Sequence, residues 1–256
     1  MRYKIILSYD GSSFCGWQVQ DGAPTIQECL ENALTVLLKE EISVTGAGRT
    51  DSKVNAVNYI AHFDTSVQDL DAAAFGYKIN AILPHGIKVH DILPAAPEFH
   101  ARFDARMREY KYFVHRKKDP FMDAYSLLYS FPVDVEKMNR AAGVLLGRHD
   151  FSCFEKVGSL SRSSICNVSM ARWDTYVPTH VLQMGYPAAE GDYLVFTIRA
   201  DRFLRNMVRA VVGTLLEIGR GRRDEGSMET LVEGGTRSEA GESVPGKALF
   251  LTNVRY

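Results

Sequence analysis

The chain has 256 residues, 46% of them apolar and 24% charged, which is enough for one large or two modest globular domains and excludes a composition of the disordered type. No stretch approaches the roughly 20 apolar residues of a membrane span, the N-terminus breaks at Asp10-Gly11 and does not read as a signal peptide, and four cysteines at 15, 29, 153 and 166 lack metal-type spacing. The formal net charge of −1 is not the footprint of a nucleic-acid binder. The positive charge is uneven, however. Arg102, Arg106, Arg108 and Lys111 cluster, as do Arg116-Lys117-Lys118 and Arg220, Arg222 and Arg223, while acidic residues gather in 224–245. A neutral total can therefore conceal a basic surface.

Residues 3–9 read as a strand and 10–24 as a long Gly-, Ser- and Gln-rich loop. Thr25-Ile26-Gln27-Glu28 is a capping box, and Ile26, Leu30, Ala33, Leu34, Leu37 and Leu38 recur at helical spacing behind it. A strand at 42–45, a Gly-rich loop and a strand at 57–63 follow. Asp71 to Ile82 reads as a second helix, stopped by Leu83-Pro84, and 87–93 as a strand. Strand–helix–strand–strand–helix–strand is the order of a ferredoxin-like unit.

The second half is expected to repeat this scheme. Residues 107–115 alternate as a strand with Arg108, Tyr110, Tyr112 and Val114 on one face, and Asp134 caps a helix carrying Met138, Ala141, Ala142 and Leu145. Strands are expected near 164–173, 178–185 and 193–200, then a long helix over 202–218, a short helix at 227–232 and a closing strand from Leu249 to Val254. In the long helix Phe203, Leu204, Met207, Val208, Val211, Val212 and Leu215 form the apolar face, and Arg202, Arg205 and Arg209 fall on one stripe. The boundary between halves is placed at 105/106, giving units 1–105 and 106–256.

The candidate chemistry lies in Gly46-Ala47-Gly48-Arg49-Thr50-Asp51, a Gly-rich turn between two strands that sets an Arg two residues before an Asp. Such turns carry catalytic groups, and they also carry plain surface ion pairs. Gly48-Arg49-Thr50-Asp51 resembles the catalytic motif of the TruA family of tRNA pseudouridine synthases. Four more stretches match that family in order: Tyr9-Asp10-Gly11 with Phe14, Gly16-Trp17-Gln18 and Gln20; Phe99-His100-Ala101-Arg102-Phe103; Arg108-Glu109-Tyr110-Lys111-Tyr112; and Phe203-Leu204-Arg205-Asn206-Met207-Val208-Arg209.

The resemblance implies an α+β pseudouridine synthase fold, two ferredoxin-like halves with mainly antiparallel sheets flanking a central cleft. It implies isomerisation of uridine to pseudouridine at positions 38, 39 and 40 of the tRNA anticodon arm, with the base flipped out of its stack. No cofactor and no metal are implied. The partners it implies are tRNA and a second copy of the chain, in the cytoplasm. By residue, Asp51 is the catalytic group and Arg209 its ionic partner. Tyr110 contacts the target base, Arg49 holds the flipped nucleotide or fills its place, Arg102 and Arg205 contact the substrate, and the loop from Asp10 to Gln20 approaches the RNA. From the residues alone, Arg202, Arg205 and Arg209 could equally be a solvated helix face. Tyr110 and Tyr112 could both be ordinary sheet aromatics, and His62 reads as a packing residue.

The family text after the motif is Ala-Gly-Val-His-Ala, whereas this chain reads Ser52-Lys53-Val54-Asn55-Ala56. Lys53 in place of Gly implies that this position needs no positive φ. Asn55 in place of His implies a hydrogen-bonding role and not a titrating one. An RNA-binding relative without catalysis and a base-releasing N-glycosidase are the competing readings. A glycosidase ordinarily needs a second acid, and none is evident near the motif.

Overall fold

The computed structural model describes residues 1–159 and 162–256. The chain divides into two compact units, Met1–Arg108 with Phe250–Tyr256, and Glu109–Leu249. Both are α+β, with mainly antiparallel strands.

The first unit begins with β1 (Arg2–Tyr9), whose strict alternation buries Tyr3, Ile5, Leu7 and Tyr9 on one face. Helix α1 (Ile26–Leu38) starts at Thr25, whose hydroxyl accepts the Glu28 N–H at 3.4 Å, as the capping box requires. It buries Ile26, Leu30, Ala33 and Leu34 and ends at Lys39 in the left-handed region. Then come β2 (Val44–Gly46), β3 (Asn55–Asp64), α2 (Ala72–Ile82) and β4 (Ile87–Pro94). Asp71 caps α2 by accepting the Ala74 N–H at 3.1 Å. The strands run in the order β4-β1-β3, with β2 beside β3. Every one of those pairings is antiparallel. That order and the intervening helices are the ferredoxin-like arrangement expected for this half. The closing strand, Leu249–Arg255, lies parallel to the start of β3, with Phe250 opposite Asn55 and Leu251 opposite Ala56.

In the second unit, β5 (Met107–His115) and β6 (Leu127–Leu128) precede α3 (Val135–Gly143), β7 (Gly147–Asp150), β8 (Ile165–Thr175), α4 (Thr179–Gln183), β9 (Tyr193–Ala200), α5 (Met207–Gly219) and α6 (Ser227–Gly234). The strand order is β5-β9-β8-β7, and the closing strand already described is β10. Helix α3 packs on α5 and β8. The crossing with α5 is close, since a Cβ on Gly219 would stand 2.6 Å from Met138 Cγ. On the β8 side, Asn139 exchanges two hydrogen bonds with the Trp173 backbone, at 2.8 and 3.0 Å.

Two expectations fail in this unit. The stretch 178–185 is not a strand. Pro178 starts the short helix α4, and Gly185 closes it at φ 74°. The helix predicted over 202–218 begins only at Met207, because Asn206 sits in the left-handed region at φ 68° and cannot continue a helix on its N-terminal side. Among the described residues, no helix is long and apolar enough to cross a membrane.

His62 on β3 is 6% exposed, and its Nδ1 accepts the Ala101 N–H at 3.1 Å, so it holds a neighbouring loop as a packing residue would. Burial, assisted by the positive charges of Arg2 and His100, pushes its pKa down from 6.5 to about 4. Between those values the unfolded chain takes up a proton that the folded chain refuses. His62 therefore costs nothing above pH 6.5, and it lowers stability progressively as pH falls from 6.5 towards about 4. Replacing His62 with Gln is expected to flatten the melting temperature over that window relative to the parent. Equal slopes would show that His62 does not govern it.

Candidate active site

The motif loop connects β2 to β3 and is held on every side within the first unit. Its entry is set by Gly46, where a Cβ would stand 2.1 Å from the Tyr59 hydroxyl and 2.7 Å from the Trp17 ring. Those rings stack at 4.2 Å between centroids, with Tyr9 at 5.5 Å from Tyr59. The Tyr59 hydroxyl donates to the Gly48 carbonyl and accepts the Gly48 N–H at 3.4 Å. Thr50, 7% exposed, shares a buried hydrogen bond of 2.9 Å with the Tyr9 hydroxyl. The Ala47 N–H donates to Ile60 O at 2.8 Å, and the Trp17 N–H donates to Thr50 O at 3.1 Å. Three aromatic rings and a ladder of backbone bonds thus fix the residues on either side of Arg49. Arg49 itself is exposed, and Asp51 is half-buried.

The loop of residues 10–20 is a wall of this turn. Gly16 takes φ 93° and comes so close to the motif that a Cβ would lie 2.5 Å from Thr50 O and 3.0 Å from the Asp51 carbonyl carbon. Gly16→Ala is expected to cost about 2 kcal/mol or more, since backbone strain and a clash with backbone combine. It should also lower turnover by about 100-fold, the cost of displacing a reacting group by roughly 1 Å. Thermal melts and single-turnover assays test this, and a variant with parental values in both would contradict the packing role.

Beyond Asp51 the chain makes a tight turn. The Val54 N–H donates to the Asp51 carbonyl at 3.2 Å, and Lys53, at the third position, has φ 64°. Positive φ at that position alone is the type II arrangement, which favours Gly. The expectation from Lys53 was therefore wrong. The position does require positive φ, and Lys53 adopts it at a cost of about 1–2 kcal/mol. The turn is forced from outside. Gly11 lies against it, where a Cβ would stand 2.2 Å from Val54 O, and the Phe14 carbonyl accepts the Lys53 N–H at 3.3 Å and the Ser52 hydroxyl at 3.4 Å. Asn55 is 2% exposed, and its Oδ1 accepts the Gly11 N–H at 2.8 Å, a structural contact that a neutral ring nitrogen could equally make.

Arg102 is exposed, with its guanidinium 5.7 Å from the Phe103 ring centroid. Its carbonyl accepts from Arg108 Nη2 at 2.6 Å, and the same nitrogen reaches Ala47 O at 2.8 Å, so Arg108 ties the Arg102 loop to the motif loop. Sequence reasoning counted Arg108 as one more basic residue on a strand. Its partners lie far away in the chain, and no local pattern announces them. Tyr9, Trp17 and Tyr59 were equally silent as a cluster.

In the second unit, Tyr112 is fully buried and donates its hydroxyl to Pro245 O at 2.9 Å. Burial pushes its phenol well above the usual range. Tyr110, two residues earlier, is half-buried with its ring edge-on to Phe203 at 5.1 Å. Arg205 is exposed and precedes α5, so it shares no helical stripe with Arg209. Arg209 is half-buried on the first turn of α5, with Nε donating to Val244 O at 2.7 Å and its carbonyl accepting the Val244 N–H at 3.2 Å. The segment around residues 240–245 runs tightly along this helix, since a Cβ on Gly213 would meet Glu242 O at 1.8 Å, and the Gly241 N–H reaches the Thr214 hydroxyl at 2.9 Å. Asn206 Nδ2 donates to Ser243 Oγ at 2.6 Å. The segment is thus a strap that holds the Arg209 guanidinium.

Comparison with known proteins supplies the family. A family model described as tRNA pseudouridine synthase matches residues 141–256. Over the whole chain, the sequence is 46% identical to the tRNA pseudouridine synthase A of Parabacteroides distasonis and 43% identical to that of Bacteroides fragilis, covering 96% of each. It is 37% identical to that of Bacillus subtilis, covering 99% of it. Fold and matches define the class, the tRNA pseudouridine synthases, isomerases that act on tRNA. Within that class the chain belongs to the tRNA pseudouridine synthase A family.

Proposed function

We propose that the chain converts uridine to pseudouridine at positions 38, 39 and 40 of the tRNA anticodon arm, with Asp51 as the catalytic group. The observation that carries this reading is the clamped turn: a half-buried carboxylate two residues after an exposed arginine, with the flanking residues held by aromatic rings and backbone contacts. Such a turn presents a reacting group with little reorganisation on binding.

The reaction breaks the N1–C1′ bond of uridine, turns the base and joins C5 to C1′; the C5 proton is lost to solvent and N1 takes up a proton, so the product is an isomer of the substrate. Electrons balance within the nucleoside, so neither oxidant nor reductant is consumed. Asp51 in its ionised form supplies the nucleophile or base. Arg209, at the position that the resemblance pairs with this carboxylate, supplies a fixed positive charge to the reaction. Tyr110 offers a flat ring to the target base, a contact of about 1–3 kcal/mol. Arg49, exposed beside Asp51, takes the space left by the flipped nucleotide or holds its backbone. Arg102 and Arg205, both exposed, contact phosphates. The enzyme acts as a cytoplasmic homodimer with the tRNA spanning both copies.

Mapping pseudouridine in tRNA from cells lacking this gene tests the proposal. Loss confined to positions 38–40 is expected. Unchanged modification at those positions would overturn the site assignment.

A further inference from the structure

Lys53 stands out among residues that the reaction scheme leaves unused. It is a non-Gly residue at the one position of its turn that favours Gly, at φ 64°. Its backbone is well employed, through the N–H to Phe14 O at 3.3 Å and the close approach of Gly11. Its side chain is not. The residue is exposed, and among the described residues its ammonium makes no hydrogen bond or ion pair. Gly would serve the fold better at this position. An unfavourable backbone state held beside a reactive group points towards function.

The placement gives that function a chemistry. Asp51 is flanked by an exposed cation two residues before it, Arg49, and another two residues after it, Lys53. The turn between Asp51 and Val54 fixes the backbone from which the second cation projects. In a chain of net charge −1, affinity for a polyanion must come from such local placements. An ammonium is a point charge suited to a single phosphate and needs no planar alignment.

We infer that Lys53 is a substrate-binding residue, whose ammonium contacts an RNA backbone phosphate beside the target uridine and helps seat that uridine against Asp51. This rests on the proposed isomerase site. It adds a contact made by a side chain that the related motif lacks.

Three variants separate charge from backbone conformation. Lys53→Met keeps the stem and the strain but removes the charge. Lys53→Arg keeps both. Lys53→Gly removes the side chain and relieves the strain. Unmodified tRNA serves as substrate, with melting temperature, kcat, KM and the salt dependence of tRNA binding measured on each. Lys53→Met is expected to raise KM roughly three- to tenfold, with kcat within about twofold. It should make the slope of log affinity against log salt shallower by about 0.7–0.9, the signature of one lost phosphate contact. Lys53→Arg should resemble the parent. Lys53→Gly should lose affinity like Lys53→Met while melting about 2–4 °C higher. A Lys53→Met enzyme with parental KM and salt slope would overturn the inference even if the parent makes pseudouridine. A parent that binds tRNA but makes none would sink the proposed reaction instead, and the salt slopes would still decide for or against the phosphate contact.

Discussion

Asp51→Asn should reduce pseudouridine formation by at least about 1000-fold while tRNA affinity stays within a few-fold of the parent. The amide is nearly isosteric with the carboxylate, and the Asp51 backbone helps to hold this turn: its carbonyl accepts the Val54 N–H at 3.2 Å, and Gly16 packs against it. Those backbone contacts are kept in the variant, whereas an amide can act neither as a nucleophile nor as a base. Tritium release from C5-labelled uridine, beside a binding titration, reads the two effects separately. Substantial turnover by the variant would remove Asp51 from the chemistry. Loss of binding together with a lowered melting temperature would instead assign the carboxylate a structural role.

Arg209→Leu should lower kcat by about 100-fold or more, with a much smaller change in tRNA affinity. The guanidinium is fixed by its Nε bond to Val244 O and by the strap that Ser243, Glu242 and Gly241 form along α5. A fixed cation offers its charge at a defined place, as the proposed reaction requires, which a mobile one on a solvated face cannot. Losing the Nε bond should also cost about 1 kcal/mol of stability, separable by thermal melting. Arg209→Lys keeps the charge without the planar fork, and an intermediate loss of kcat is expected. If the Leu variant bound tRNA poorly but turned over normally at saturation, Arg209 would be a phosphate contact.

Where local physics decides, the sequence was informative. Thr25 and Asp71 cap the helices that they announce, β1 alternates as it reads, and Pro84 follows the end of α2. The first-half order of strands and helices sufficed for a ferredoxin-like unit. The failures come from single backbone states that periodicity does not register. The apolar spacing through Phe203 and Leu204 continues a helical pattern, yet Asn206 at φ 68° places both outside α5 and separates Arg205 from Arg209. At Lys53 residue type pointed away from positive φ, and the surrounding Gly11 and Phe14 backbone imposed it. The supports of the candidate residues were invisible for another reason. Trp17 on Gly46, Arg108 on Ala47 and Val244 on Arg209 are contacts of long sequence separation, and each depends on the fold being complete.

Nucleoside analysis of unmodified tRNA, after incubation with the purified protein and no added cofactor, decides whether the clamped turn carrying Asp51 isomerises uridine without releasing it. Pseudouridine at positions 38–40, an equal loss of uridine and no free base are expected. Free uracil with an abasic sugar, or tRNA bound and returned unchanged, would contradict the proposed isomerisation.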